Sequence, residues 1–240
     1  MSSIKDKQNI RSDGVYYSAG LRDYLTKVYN YMALALGVTG LVAFLVASSG
    51  LFLVIHYNPF ISLLVIFSPI ALVLFMRFRF STLSTQSVIA MFFTFSALMG
   101  LSLSYIFLLY TKASIARAFF ITSIMFGSMA LYGNNTKKDL TSFGSFLIMG
   151  SWGLFVALLV NLFLDSRALH FAISFISVIV FTLMTAYDAQ RIKDIYYQLN
   201  DGSDTTISKV AIIGATDLYF NFINIFLSLL RLIGLASNRD

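Results

Sequence analysis

The chain has 240 residues, 58% of them hydrophobic and 12% charged, with a mean hydropathy of +0.80, whereas a soluble domain carries charge on roughly a quarter of its residues. That composition excludes a soluble globular enzyme and identifies an integral membrane protein. The net charge of +6 could point to nucleic acid, but the basic residues are spread over segments that flank apolar runs rather than gathered in one patch. Cysteine is absent, which removes disulfides and thiolate metal sites.

Residues 1–25 form a polar, basic segment that leads into a full-length apolar run without a small-residue cleavage site, so no removable signal peptide is predicted. A single transmembrane domain is expected over 26–235, with a short tail over 236–240. Apolar runs fall near 28–49, 54–76, 86–110, 115–132, 142–164, 169–187 and 210–233, each close to the roughly 20 residues that cross a bilayer. The predicted fold is therefore all-α with seven transmembrane helices.

The first run places Ala33, Gly37 and Gly40 on one face, the third Ser96, Gly100 and Ser104, and the fifth Gly150, Gly153 and Ala157. Helices in lipid associate where small residues let backbones approach, so these stripes read as packing surfaces. Pro59 and Pro69 both fall in the second run, where Pro69 removes a backbone donor and predicts a kink. Arg77 and Arg79 end that run. His56 and His170 lie at predicted helix ends on separate loops, which argues against a histidine-rich metal site.

The sixth run closes on Asp188, and Asp217 lies inside the seventh, two turns past its start. Intramembrane acids are costly and usually mark an ion path, a proton relay or an active site. Along the seventh run, Gly214, Asp217, Asn221, Asn224, Ser228 and Arg231 recur at spacings of three and four, which puts them on one side of a helix. A polar stripe of that length cannot face lipid. The seventh helix is therefore expected to be enclosed by the other six. Alternating crossings bring Asp188 and Asp217 to similar depth, where two close carboxylates would titrate as a unit. The plainer readings are a solvated Asp188 beside Arg191 and interhelical hydrogen bonds from the asparagines.

Orientation follows from the loops. With the amino terminus inside, twelve of the seventeen Lys and Arg fall on the cytoplasmic side and five outside, as the positive-inside rule requires.

Four segments, MGLSLSYIFLLYTKASI at 99–115, ALYGNNTKKDLTSFG at 130–144, FTLMTAYDAQRIK at 181–193 and LYFNFINIFLSLLRLIG at 218–234, resemble the Bax inhibitor family of membrane proteins, in particular its bacterial branch. The resemblance covers nearly the whole chain after residue 20. It implies seven helices with the last one enclosed, a bacterial inner-membrane location, and a pH-sensitive calcium leak controlled by an aspartate on each of the last two helices. The first aspartate maps onto Asp188 in TAYDAQ. At the second, family members commonly read LYLDFIN where this chain has LYFNFIN, so Asn221 stands in the acid's place and Asp217 lies one turn earlier on the same face. An arginine near the end of the second helix latches the acids in some members, and Arg77 and Arg79 are both candidates. Two aspartates with amide and carbonyl oxygens suit Ca²⁺ as a weakly held permeant ion, and no cofactor is expected.

Two other classes of function compete. Some bacterial relatives restrain a membrane-anchored ATP-dependent protease, a role that would use residues 1–20 and need no conduction. The pairs Tyr187–Asp188 and Gly214-Ala215-Thr216-Asp217 are similar to the YD and GxGD signatures of intramembrane aspartyl proteases, but Thr216 replaces the second glycine and no Pro-Ala-Leu segment follows. The expectation is not an enzyme. Gly100-Leu101-Ser102 is superficially suited to a serine nucleophile but lacks an intramembrane histidine.

Overall fold

A computed structural model describes the backbone of residues 2–199 and 204–237, and side chains within 19–199 and 206–234, residues 52 and 56 apart. Lys5, Lys7 and Arg11, the His56 imidazole and residues 238–240 of the expected tail lie outside the described side chains. Among the described residues all regular structure is helical: α1 (Ser2–Ser48), α2 (Leu51–Tyr57), α3 (Pro59–Phe78), α4 (Thr85–Leu103), α5 (Ile106–Leu109), α6 (Lys112–Asn135), α7 (Thr141–Leu164), α8 (Arg167–Gln198) and α9 (Asp204–Ser237). Among the described residues, seven stretches have the length and apolar character to cross a membrane: Ala19–Ser48, Pro59–Phe78, Thr85–Leu109, Lys112–Asn135, Thr141–Leu164, Arg167–Gln198 and Thr206–Gly234. The end of the bundle at which α1 enters its span, α3 stops and α9 begins is called the proximal end below.

Local sequence fixes most helix starts. Asn58 Oδ1 accepts from the Phe60 and Ile61 amides, Ser84 Oγ from Ser87 N, Thr111 Oγ1 from Ser114 N and Ser166 Oγ from Leu169 N. Each cap satisfies amides that have no partner within the helix. Pro59 follows its cap as the first residue of α3, where a missing N–H costs nothing. It therefore opens the second span rather than interrupting it, and 51–57 forms a separate short helix.

Pro69 does lie within α3 and deprives the Val65 carbonyl of its helical donor. Two hydroxyls answer that carbonyl: Ser68 Oγ at 3.0 Å and, from α4, Ser102 Oγ at 2.8 Å. The proline thus creates an acceptor that ties α3 to α4. Ser102 also donates to Leu98 O, so its hydroxyl is taken up by carbonyls and not poised as a nucleophile.

The sixth span ends later than hydropathy indicates. Helix α8 continues to Gln198, which leaves Asp188 in its interior and buried. The apolar run stops at Asp188 because Gln190, Arg191 and Lys193 follow, but none of these residues breaks a helix. Asp188 is therefore not a solvated helix-end residue.

Helix α9 packs chiefly against α8, α1, α6 and α4, while α3 lies on α4 and α7 on α8. Its main packing partners are thus four helices rather than six. None of residues 206–234 is exposed, whereas α3 and α7 present Phe60, Phe67, Trp152, Leu162 and Phe163 outward, as side chains facing lipid do. Close approaches at two glycines bring the quoted motifs together. A Cβ at Gly133 would collide with the Ala186 carbonyl, and one at Gly144 with the Tyr187 ring. Gly100 is similarly closed in, by the Thr39 carbonyl and Val42. The first stripe behaves differently from expectation, as does Gly153 of the fifth: a Cβ added at Gly37, Gly40 or Gly153 would meet nothing within 4 Å, so these glycines face gaps and not a neighbouring backbone, whereas one at Gly150 would meet Val180 of α8 at ordinary contact distance.

Candidate functional site

At the proximal end, α3, α8 and α9 each carry charge to one point. Arg77, in the last turn of α3, pairs through Nη2 with Asp217 Oδ1 on α9. Arg191 of α8 places Nη1 3.8 Å from Asp188 Oδ1 and 4.0 Å from Asp217 Oδ2. Asn221, one turn beyond Asp217, donates from Nδ2 to Asp188 Oδ2 at 2.7 Å. The carboxylates are largely covered, with side-chain exposures of 8% for Asp188 and 18% for Asp217, while Arg77 and Arg191 are 42% and 47% exposed. The acids therefore sit inward and the guanidinium groups form a half-exposed cover over them. Two positive and two negative charges balance locally, which is what makes the burial tolerable.

The helices dictate this arrangement. Asp188 and Arg191 are three apart on α8 and so lie on one face, as do Asp217 and Asn221 four apart on α9. Arg77 and Arg79 are two apart and point in different directions from their helix end. Arg79, at the C-cap of α3, is exposed, while Arg77 makes the ion pair. Of the remaining stripe, Gly214 abuts Ile192 of α8, Asn224 donates to Phe220 O in its own helix, and Ser228 is buried. These residues lie along α9 on either side of the charged cluster, covered by protein.

Sequence reasoning missed two features. Arg191 bridges both acids, although it reads in the sequence only as a flanking charge. Deeper in the bundle, Thr39 of α1 bonds Ala35 O, Ser96 O of α4 and the Tyr219 hydroxyl of α9, at 2.9, 2.9 and 2.8 Å. This second tie joins α1, α4 and α9, and its only signal is a tyrosine within an apolar run.

The loop between α6 and α7 is clamped to α8 beside the acids. Gln190 accepts from Leu140 N and donates to Lys138 O, both at 2.8 Å, and Lys193 donates to Asn134 O at 3.1 Å. Outside the spans, Asp139 accepts from the Thr141 amide, and hydrogen bonds from Thr141 hold its carboxyl below the ordinary range.

The family described as inhibitor of apoptosis-promoting Bax1 matches residues 21–239. The chain belongs to the Bax inhibitor family. An uncharacterised protein of Rickettsia prowazekii is 44% identical over 91% of this chain and 92% of its own length. The Escherichia coli inner membrane protein YbhL is 41% identical over 93% of this chain and 97% of its own, and a protein of Borreliella burgdorferi is 38% identical over 90% and 93%. With its seven apolar helices, this Bax inhibitor family member is a multi-pass protein of the bacterial inner membrane. Its family segments are spatial neighbours: Tyr187, Asp188 and Gln190 of one touch Gly144, Asn221 and the 138–140 loop of two others.

Among the described residues no three His, Cys, Asp or Glu converge as a metal cage. A cation at Asp188 and Asp217 would have to displace Arg77 and Arg191 from the same oxygens. The two carboxylates also do not stand free to share a proton across a water, as an aspartyl protease needs, since Arg191 lies within 4.0 Å of both.

Proposed function

We propose that this protein is a pH-sensitive calcium leak, gated at its cytoplasmic end by Asp188 and Asp217, with Arg77 as the latch. The carrying observation is the charge network in which Arg77 of α3 holds Asp217 of α9 while Asn221 and Arg191 hold Asp188 of α8. Protonation of Asp217 removes the attraction between opposite charges and leaves Arg77 facing a neutral carboxyl. That frees α3 from α9. Cations and protons then act in the same direction, because each competes with a guanidinium for the same oxygens.

Calcium is the cargo that fits this chemistry best. It takes oxygen ligands, and two carboxylates with the Asn221 amide oxygen offer enough to admit it without holding it, as conduction requires. Gly214, Asn224 and Ser228 mark the path along α9. The amino terminus and the gate face the cytoplasm, consistent with the lysine and arginine distribution.

The test is Ca²⁺ entry into vesicles carrying the purified protein, recorded from about pH 6 to 8 alongside Asp188→Asn and Asp217→Asn. Flux that rises as pH falls, and loses that dependence in both variants, supports the gate. No flux above empty vesicles from folded protein rejects the leak and leaves the network as a tie between helices.

A further inference from the structure

Helices α1 and α6 run side by side without closing on each other, and the seam between them changes character along its length. Near the proximal end it is a cavity of about 460 Å³ whose lining includes Arg22, Thr26, Tyr29, Asn134 and Lys193 and, among the described residues, no acid. Asn134 Nδ2 donates to the Tyr29 hydroxyl at 2.8 Å, while Asn134 Oδ1 is buried without a partner. Further along, the seam is an apolar cavity of about 770 Å³ lined by Ala33, Gly37, Gly40 and Phe44 from α1 and by Phe119 and Phe126 from α6.

The two cavities follow one another along the same faces of α1 and α6. On α1 the lining residues Arg22, Thr26, Tyr29, Ala33, Gly37 and Gly40 follow at helical spacing, and on α6 Phe119, Ser123, Phe126 and Asn134 keep to one face. The stripe of small residues that would otherwise pack a neighbouring helix instead lines open space. From Asn30 to Gly40 the helix rises roughly 15 Å at about 1.5 Å per residue, the depth of one leaflet of a hydrocarbon core roughly 30 Å thick.

We propose that the α1–α6 seam binds one anionic glycerophospholipid. Its phosphodiester sits between Arg22 and Lys193, a hydroxyl of its headgroup donates to Asn134 Oδ1, and one acyl chain lies along Gly37 and Gly40. Charge selects the headgroup: two cations without an acid match a net negative phosphate and discriminate against a zwitterionic choline head, which has no hydrogen-bond donor for the amide oxygen. Lys193 has ammonium hydrogens to spare beyond the one given to Asn134 O. Because Lys193 and Asn134 belong to the same clamp as Gln190, the lipid would bear on the loop beside Asp188.

The test is native mass spectrometry of the detergent-purified full chain, titrated with dioleoyl phosphatidylglycerol, dioleoyl phosphatidylcholine, dihexanoyl phosphatidylglycerol and inorganic phosphate. One phosphatidylglycerol should bind about tenfold more tightly than phosphatidylcholine, and Arg22→Gln/Lys193→Gln should abolish that preference. Gly37→Leu, which fills open space, should weaken the dioleoyl lipid about tenfold and leave the dihexanoyl lipid unchanged. Arg79→Gln, removing an exposed cation at the same end but off the groove, should change nothing. Should Lys193→Gln disturb the Asn134 carbonyl it holds, as melting of the lipid-free protein would reveal, Arg22→Gln alone serves. Equal binding of the two dioleoyl lipids, an Arg79→Gln loss as large as that of the groove variants, or displacement of the lipid by equimolar inorganic phosphate would each overturn the proposal.

Discussion

Removing the Arg77 side-chain charge tests whether the cover over the acids is energetic or incidental. Exposed ion pairs contribute about 0.2–1 kcal/mol, and breaking a fully buried pair costs about 3–5 kcal/mol. Asp217 is largely buried but Arg77 is 42% exposed, so solvent screening discounts the upper figure heavily. Arg191, 4.0 Å from the other Asp217 oxygen, takes over part of the charge once Arg77 is gone. A coupling of about 1–2 kcal/mol follows. It is measured by a double-mutant cycle of Arg77→Gln, Asp217→Asn and their combination, with unfolding by SDS in mixed micelles. If the pair exists only in the closed protein, the same coupling raises the open fraction, and hence basal flux near neutral pH, roughly 5- to 30-fold in Arg77→Gln. Arg79→Gln should stay within about 0.5 kcal/mol of the parent. Additive single variants, or an Arg79→Gln effect equal to that of Arg77→Gln, would refute the assignment of Arg77.

Gln190→Leu removes two hydrogen bonds and strands the Leu140 amide, so it should destabilise by about 1–3 kcal/mol, with faster amide exchange at residues 138–140 as the local readout. Ser102→Ala takes one of two donors from the Val65 carbonyl and should cost about 0.6 kcal/mol, the average for interhelical bonds in a membrane protein, seen in the same unfolding assay. Gly133→Ala forces a methyl against the Ala186 carbonyl and should cost about 1–3 kcal/mol; an unchanged melting temperature would mean that α6 and α8 separate freely there. Asp139 contributes stability that is present above the ordinary aspartate range and lost as pH falls through its lowered value. Asp139→Asn should accordingly flatten the acid limb of the stability profile. Asn221→Asp would put a second carboxyl at hydrogen-bonding distance from Asp188, and a shifted pH midpoint of flux is expected; an unmoved midpoint would place position 221 off the gate.

The seven spans were legible because lipid imposes a length and a polarity that composition alone reports. What the sequence left open was phase and depth. Arg77 and Arg79 are chemically equivalent in the chain, and only the rotation of α3 about its axis decides which one meets Asp217. Hydropathy ends the sixth span at Asp188 although the helix continues, because charge stops an apolar run without stopping a helix. Gly37 and Gly40 read as a packing stripe for the same kind of reason. Small residues permit close approach, and a gap between helices leaves them just as unconstrained. The Thr39–Tyr219 bond joins residues 180 positions apart in the chain, and no local pattern carries that pairing.

The two ties on α9 divide the work of holding it. The proximal network is ionic and half open to water, so in the proposed leak it is the tie that protons and cations would contest. The Thr39–Ser96–Tyr219 cluster is neutral and buried among Phe95 and its neighbours, and no change in pH near neutrality alters it. Loss of the first tie alone would therefore leave α9 anchored to α1 and α4 and let α3 swing away from it. In a leak built this way, opening is a movement of α3 at the proximal end, with the deeper tie setting how far an ion proceeds. Tyr219→Phe keeps the ring packing and removes only the hydroxyl. It should raise flux at every pH without moving the midpoint, whereas Arg77→Gln should move the midpoint. If Tyr219→Phe shifts the midpoint as Arg77→Gln does, the ties act as one unit and the division fails.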